Sequence, residues 1–134
     1  MTVTMEEFYQ TPVRVVVLAR ETRGCHYARQ SILERVDTGE VVQFGVVRFD
    51  FSYVTPEVRA EILAEQTPLG RILINYNVLR HIDLGAILRI WPGAELQSRF
   101  HCDAGTPTFG RLATIFCNQK PAVDLLEVAA PVVR

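Results

Sequence analysis

The sequence predicts an α+β fold, an antiparallel β-sheet with helices packed on one face. Short stretches rich in β-branched residues alternate with turn residues, as expected for strands. Two threonine–proline pairs stand where a helical period begins, as at helix N-termini. The 134 residues, 49% of them hydrophobic, show no linker or repeat, so we expect a single domain over residues 1–134.

The first half of the chain predicts three strands. They span residues 13–20, 26–35 and 41–51. The first is short and β-branched, which favours a strand over a helix. The other two flank Asp37-Thr38-Gly39, where Gly39 supplies the positive φ of a tight turn, so they form a hairpin.

Two helices are expected next. Thr55 as N-cap and Pro56 at the first helical position begin one of them. The pair Thr67-Pro68 repeats this pattern and predicts a turn followed by a short helix. Residues 74–88 are ambiguous between helix and strand.

The last third is predicted to return to strands after Pro92-Gly93. These strands span residues 96–102, 111–117 and 122–130, with residues 118–121 as the hairpin turn between the last two.

Charge and cysteine content exclude several classes of protein. The 14 basic and 15 acidic residues nearly cancel, which gives no general attraction to nucleic acid or to anionic lipid. A secretory signal would carry positive charge near its N-terminus, where this sequence has the acidic pair Glu6-Glu7. No apolar run is long enough to span a bilayer. Three dispersed cysteines and three dispersed histidines fit neither a disulfide scaffold nor a metal site. We therefore expect a cytoplasmic protein without a metal site.

Glu127 is one candidate for chemistry. In an alternating strand it shares a face with Val123, Leu125 and Ala129. Burial there would raise its pKa and make it a usable proton donor. The alternative, favoured by spacing alone, is a solvated glutamate at the end of an edge strand.

Two arginines are candidates for binding an anion. Arg29 shares a strand face with Tyr27, Ser31 and Leu33, and Arg111 follows Phe109-Gly110. A guanidinium can bind a carboxylate through two parallel hydrogen bonds. Cross-strand pairing at the surface is the alternative for both.

The segment Thr67-Pro68-Leu69-Gly70-Arg71 is a candidate for holding an anion with its backbone. Leu69 and Gly70 would present free amides at the start of a helix, where a partial positive charge accumulates. Plain capping of a short helix is the alternative.

Taken together, these motifs resemble the chorismate lyase family in order and approximate spacing, from about Val13 to Pro131. The matching motifs are Tyr27-Ala28-Arg29, the Asp37-Thr38-Gly39 turn, Thr55-Pro56-Glu57, Thr67-Pro68-Leu69-Gly70-Arg71 with Ile72-Leu73, Phe109-Gly110-Arg111, and Lys120-Pro121 leading to Glu127 and Pro131. Members of that family carry a further N-terminal helical segment that helps to cover the ligand, whereas only about a dozen residues precede the first predicted strand here.

The resemblance implies a lyase that eliminates pyruvate from chorismate to give 4-hydroxybenzoate, without a cofactor. It implies that Arg29 and the amides of Leu69 and Gly70 bind carboxylates and that Glu127 is the catalytic acid. Arg71 and Arg111 would support the site electrostatically. The expected partner is a small carboxylated ring, with neither nucleic acid nor membrane, and a homo-oligomer is left open.

Two alternatives are kept beside the lyase. One is a non-catalytic module that binds a small aromatic acid, since related sheets serve as effector-sensing domains in transcription regulators. The absence of a recognisable DNA-binding segment in the sequence argues against it. The other is an enzyme of a specialised pathway that acts on another carboxylated ring.

Overall fold

The fold is a six-stranded antiparallel sheet with helices against it, as the sequence predicts. The computed structural model describes residues 2–131, with side chains from Met5 onward. The strands are β1 (Val13–Arg23), β2 (His26–Arg35), β3 (Val41–Asp50), β4 (Arg80–Ile90), β5 (Thr108–Cys117) and β6 (Lys120–Ala129). The helices are α1 (Thr2–Tyr9), α2 (Pro56–Ala64), α3 (Leu69–Asn75) and α4 (Ala94–Phe100), with one 3₁₀ turn (Phe51–Tyr53).

The sheet consists of two three-stranded meanders that meet in its centre. The strand order is β1-β2-β3-β6-β5-β4, and every neighbouring pair is antiparallel. A crossover that contains α2 and α3 connects β3 in the middle of the sheet to β4 at its far edge. The pairing of β3 with β6 therefore joins the two meanders.

Two apolar clusters fix the helices to one face of the sheet. The larger one lies under α2 and α3 and contains the mutually packed rings of Tyr27, Phe49 and Phe51. The smaller one lies under α1, where Met5 packs with residues of β1, β2 and β3. Because strand side chains alternate, the same face also receives the candidate residues Arg29 of β2 and Glu127 of β6.

The predicted start of α2 is confirmed and that of α3 is corrected. Thr55 caps α2, its hydroxyl accepting a hydrogen bond from the amide of Val58 at 3.3 Å, and Pro56 is the first helical residue. In α3 the N-cap position is occupied by Pro68, and no side chain caps this helix. The pattern around Thr67 thus predicts the helix correctly but not its cap.

Two other predictions need correction. The expected strand over residues 96–102 is wrong, because this segment lies mostly in α4. Gly93 is the N-cap of α4, and an i,i+4 pair of Arg99 with Glu95 at 3.3 Å stabilises its exposed side. The dozen residues before β1 include α1, whose Met5 and Tyr9 pack onto the sheet, so this end of the sheet is covered.

The ambiguous segment over residues 74–88 contains a helix end and a strand. Helix α3 ends at Asn75, and β4 begins at Arg80. Among residues 2–131, no helix is long and apolar enough to cross a membrane.

Candidate functional site

A cavity of about 40 Å³ lies between the sheet and the start of α3. Strands β1, β2, β3 and β6 form its floor, and Pro68 and Leu69 close it from the helical side. Its polar lining consists of Arg29, Ser31, Gln43 and Glu127, and its other lining residues are Val15, Leu33, Gly45, Val47 and Leu125. This volume is enough for a few water molecules, since one water needs roughly 10–15 Å³ of such space. A ring-sized ligand therefore has to displace the wall at Pro68 and Leu69.

Arg29 is a buried cation without an anionic partner. Its side chain points from β2 under the helices, and the residue is only 3% exposed. Nη1 donates a hydrogen bond to the carbonyl oxygen of Ile62 at 3.2 Å, and the guanidinium lies 5.4 Å from the centre of the Phe49 ring. Nε is buried and has no hydrogen-bond partner, and no carboxylate of the described residues lies within 4.0 Å of the guanidinium.

This environment is electrostatically unfavourable to the charge. Burial lowers the pKa of Arg29 from its ordinary value, and nearby Tyr27 and Glu65 offset the effect only in part. Arginine nevertheless stays protonated in proteins, because its ordinary pKa lies far above neutral pH. A buried positive charge in contact with a cavity is thus available to an anion.

Gln43 is the second buried group with an unused polar atom. It lies on the helix-covered face of β3 and is 6% exposed. Its Nε2 donates to Oε2 of Glu127 at 3.1 Å, whereas its Oε1 is buried without a partner. Gln43 was not predicted from the sequence. The signal was an amide side chain on the same apolar strand face as Val47 and Phe49.

Glu127 lies opposite Arg111 on neighbouring strands, and the two form an ion pair. Oε1 of Glu127 accepts a hydrogen bond from Nε of Arg111 at 2.7 Å, and both side chains are largely buried. The other oxygen accepts from Gln43. Both oxygens of Glu127 therefore act as acceptors, and neither is free to hand a proton to a ligand in this geometry.

Leu69 and Gly70 begin α3, and Leu69 lines the cavity. Within the described part of the chain, neither amide donates a hydrogen bond to the protein. Arg71 is engaged elsewhere: its guanidinium binds the carboxylate of Glu6 in α1, which also accepts from the amide of Val13 at 3.1 Å. Arg71 thus connects α3 to α1 and does not line the cavity.

Of the six residues that sequence analysis singled out, Arg29, Leu69 and Glu127 line one cavity, and Gly70 and Arg111 are next to it. Arg71 is the outlier. No group of three or more His, Cys, Asp or Glu side chains within residues 2–131 is placed to hold a metal ion.

Known proteins similar in structure share this architecture. No protein-family model matches the chain, and no curated protein sequence does. The structure of PhnF from Mycobacterium smegmatis superimposes with a TM-score of 0.72 at 12% identity, over 97% of this chain and 63% of that one. Its effector domain alone gives a TM-score of 0.69 at 12% identity, over 95% of this chain and 86% of that one.

Two further structures extend the comparison. One is the ligand-binding domain of a protein assigned to the GntR family of transcriptional regulators from Bordetella bronchiseptica, with a TM-score of 0.63 at 10% identity over 87% and 84% of the two chains. The other is the C-terminal domain of the histidine utilization repressor from Pseudomonas syringae, with a TM-score of 0.58 at 12% identity over 91% and 96%. This chain thus spans 63% of the PhnF chain but most of the isolated domains.

These comparisons confirm the chorismate lyase-like fold and correct the predicted function. The similar structures include an effector domain, the ligand-binding domain of a GntR-family transcriptional regulator and the C-terminal domain of a repressor, and no chorismate lyase is among those described. The expectation of a lyase in aromatic acid biosynthesis is therefore wrong. The expected exclusion of nucleic acid as a partner is not supported either, because the similar proteins include transcriptional regulators.

Proposed function

We propose that this chain is the effector-binding domain of a GntR-type transcription regulator and that its effector is a small anionic molecule bound in the cavity at Arg29. The observation that carries the proposal is a buried arginine that lines the cavity and has no carboxylate partner among the described residues. Burying an unpaired charge costs several kcal/mol, roughly, and a site that tolerates this cost gains affinity when an anion enters. The fold shared with ligand-binding domains supports the same conclusion.

The cavity offers one positive charge and a set of neutral groups to a ligand. Arg29 supplies the charge, and Leu69, whose amide has no protein partner among the described residues, lines the opposite wall. Arg111 does not compete for the anion because Glu127 neutralises it. A carboxylate fits this arrangement, since a guanidinium binds it through short charge-assisted hydrogen bonds. The roles of Leu69 and Gly70 remain predictions.

Gly45 leaves room for the ligand on the floor of the cavity. A Cβ atom added there would lie 3.7 Å from the carbonyl oxygen of Leu126 and 4.0 Å from Nε2 of Gln43 and Oγ of Ser31, all ordinary contact distances. The substitution Gly45→Ala should therefore fold, and should gain stability by roughly 0.5 kcal/mol because alanine loses less backbone entropy than glycine. It would also place a methyl group inside the cavity.

Isothermal titration calorimetry with small carboxylates tests the proposal. The probes are benzoate, the three monohydroxybenzoates, propionate and lactate. We expect at least one to bind the wild type, Arg29→Met to abolish its binding, and Gly45→Ala to weaken it at least tenfold. Arg48→Met is the matched control, because Arg48 is exposed on the other face of β3 and pairs with Asp124 at 3.1 Å. Unchanged binding in Arg29→Met, or no binding by any probe, would overturn the proposal.

A further inference from the structure

We infer that Gln43 determines which anions the cavity accepts: the ligand must carry a hydrogen-bond donor, such as a hydroxyl or an amine, in addition to its anionic group. The inference rests on the proposed function, because it concerns the same cavity. Its basis is a second buried atom without a partner, again on a residue that lines the cavity. Arg29 Nε is a donor that lacks an acceptor, and Gln43 Oε1 is an acceptor that lacks a donor.

The orientation of the Gln43 amide follows from its neighbour Glu127. A carboxylate engaged with a guanidinium accepts hydrogen bonds but cannot donate them, so the amide must turn its Nε2 toward it. The opposite orientation would place the amide oxygen against a carboxylate oxygen, and the two would repel each other. Gln43 therefore directs Oε1 away from Glu127, and this acceptor has no partner among the described residues.

The chain of contacts that imposes this orientation spans three strands. Arg111 on β5 donates to Glu127 on β6, and Glu127 accepts from Gln43 on β3. The Arg111–Glu127 pair thus acts as a positioning group for Gln43, although neither of its charges is free for a ligand.

An acceptor buried in this way discriminates strongly between ligands. Gln43 is 6% exposed, so solvent cannot satisfy Oε1 once a ligand fills the cavity. A ligand with a donor at this point satisfies it, whereas a ligand without one leaves it desolvated and unpaired. Sites built to hydrogen-bond a ligand group reject analogues that lack the group far more strongly than apolar pockets reject a missing methylene.

Matched ligand pairs provide the test. Titration calorimetry of the wild type compares benzoate with 2-, 3- and 4-hydroxybenzoate, and each hydroxy acid with its methoxy counterpart, which keeps the oxygen but loses the donor. Propionate and lactate form the same comparison for a smaller molecule. We expect one hydroxybenzoate to bind at least tenfold more tightly than benzoate and than its own methoxy ether. If the cavity takes the smaller molecule instead, we expect lactate to bind tenfold more tightly than propionate.

The variant Gln43→Leu should remove this preference and bind the parent acid more tightly than the wild type does, because it has no acceptor for that acid to leave unpaired. If the variant does not fold, the wild-type comparison alone decides the question. Equal affinities of the hydroxy acids and their parents in the wild type would overturn the inference and leave the proposed function standing. Retention of the preference in folded Gln43→Leu would also overturn it. If no acid of either kind binds, the proposed function fails and the inference fails with it.

Discussion

Replacing Arg29 by methionine should not destabilise the ligand-free domain, although Arg29 is among its most buried residues. Methionine keeps most of the apolar stem and removes the charge. The guanidinium makes one hydrogen bond to a carbonyl oxygen, worth roughly 1.5–3 kcal/mol, and one contact with the Phe49 ring, worth roughly 0.5–2 kcal/mol. Its burial without an anionic partner costs several kcal/mol, roughly, which equals or exceeds these gains.

The net change expected for Arg29→Met is therefore between zero and a gain of about 1 kcal/mol in the free energy of unfolding. Urea denaturation followed by circular dichroism measures it, with Arg48→Met as the exposed control, whose change should stay within about 0.5 kcal/mol. A bound effector at a hundredfold excess over its dissociation constant should stabilise the wild type by about 2.7 kcal/mol and leave Arg29→Met unchanged.

The opposite sign would refute this reasoning. Removing one member of a satisfied buried ion pair destabilises a protein by about 3–5 kcal/mol. A loss of that size in Arg29→Met would mean that the guanidinium is held by the protein for its own stability, and Arg29 would then be a structural residue.

Three further predictions concern the surroundings of the cavity. Glu127→Gln should destabilise the fold by about 1–3 kcal/mol because Arg111 loses its carboxylate partner. A double-mutant cycle with Arg111→Met should give a coupling energy of at least about 0.5 kcal/mol. Additive effects of the two substitutions would contradict an ion pair between these residues. Gly110→Ala should destabilise the fold by more than about 2 kcal/mol, because the added Cβ would lie 2.7 Å from both the carbonyl oxygen of Glu127 and Cδ1 of Ile90. Gly93→Ala is the control: it has open space around it and should cost less than about 1 kcal/mol in the same denaturation assay. The Arg20 guanidinium, which is hydrogen-bonded to Glu65, lowers the pKa of that carboxyl below its ordinary 4.5, with a smaller contribution from Tyr27. The stability that this ion pair contributes is therefore present above pH 4.5 and is lost as the pH falls through the pKa of Glu65 in the folded protein. In acid titration, Glu65→Gln should lose stability less steeply than the wild type, and an identical profile would contradict the lowered pKa of Glu65.

The predictable part of the fold is the part whose side chains alternate between core and solvent. Strands β2 and β3 show this alternation, and the capping residues Thr55 and Pro56 mark α2. Strand β4 does not show it, because the helices leave it largely exposed and an irregularity between Leu84 and Ala86 shifts the alternation. Its sequence is therefore not constrained by burial, and the segment stayed ambiguous.

The candidate site was predictable where a residue type was unusual for its position. A charged residue on an apolar strand face identified Arg29 and Glu127, and the same argument would have found Gln43. What the sequence could not show is which charges neutralise one another. The pairing of Arg111 with Glu127 depends on the register of β5 and β6, and that of Arg71 with Glu6 depends on how α1 packs. Among the described residues that line the cavity, Arg29 is left as a cation without a carboxylate partner.

The meeting of the two meanders at β3 and β6 gives the cavity a composite origin. Arg29 and Gln43 come from the first meander, Glu127 comes from the second, and Leu69 comes from the crossover between them. Cleaving the chain in the short connection between α2 and α3 would therefore produce two fragments, neither of which holds a complete site. An effector that binds only the complete site favours reassociation of the fragments by mass action, so recovery of binding would report fragment complementation directly.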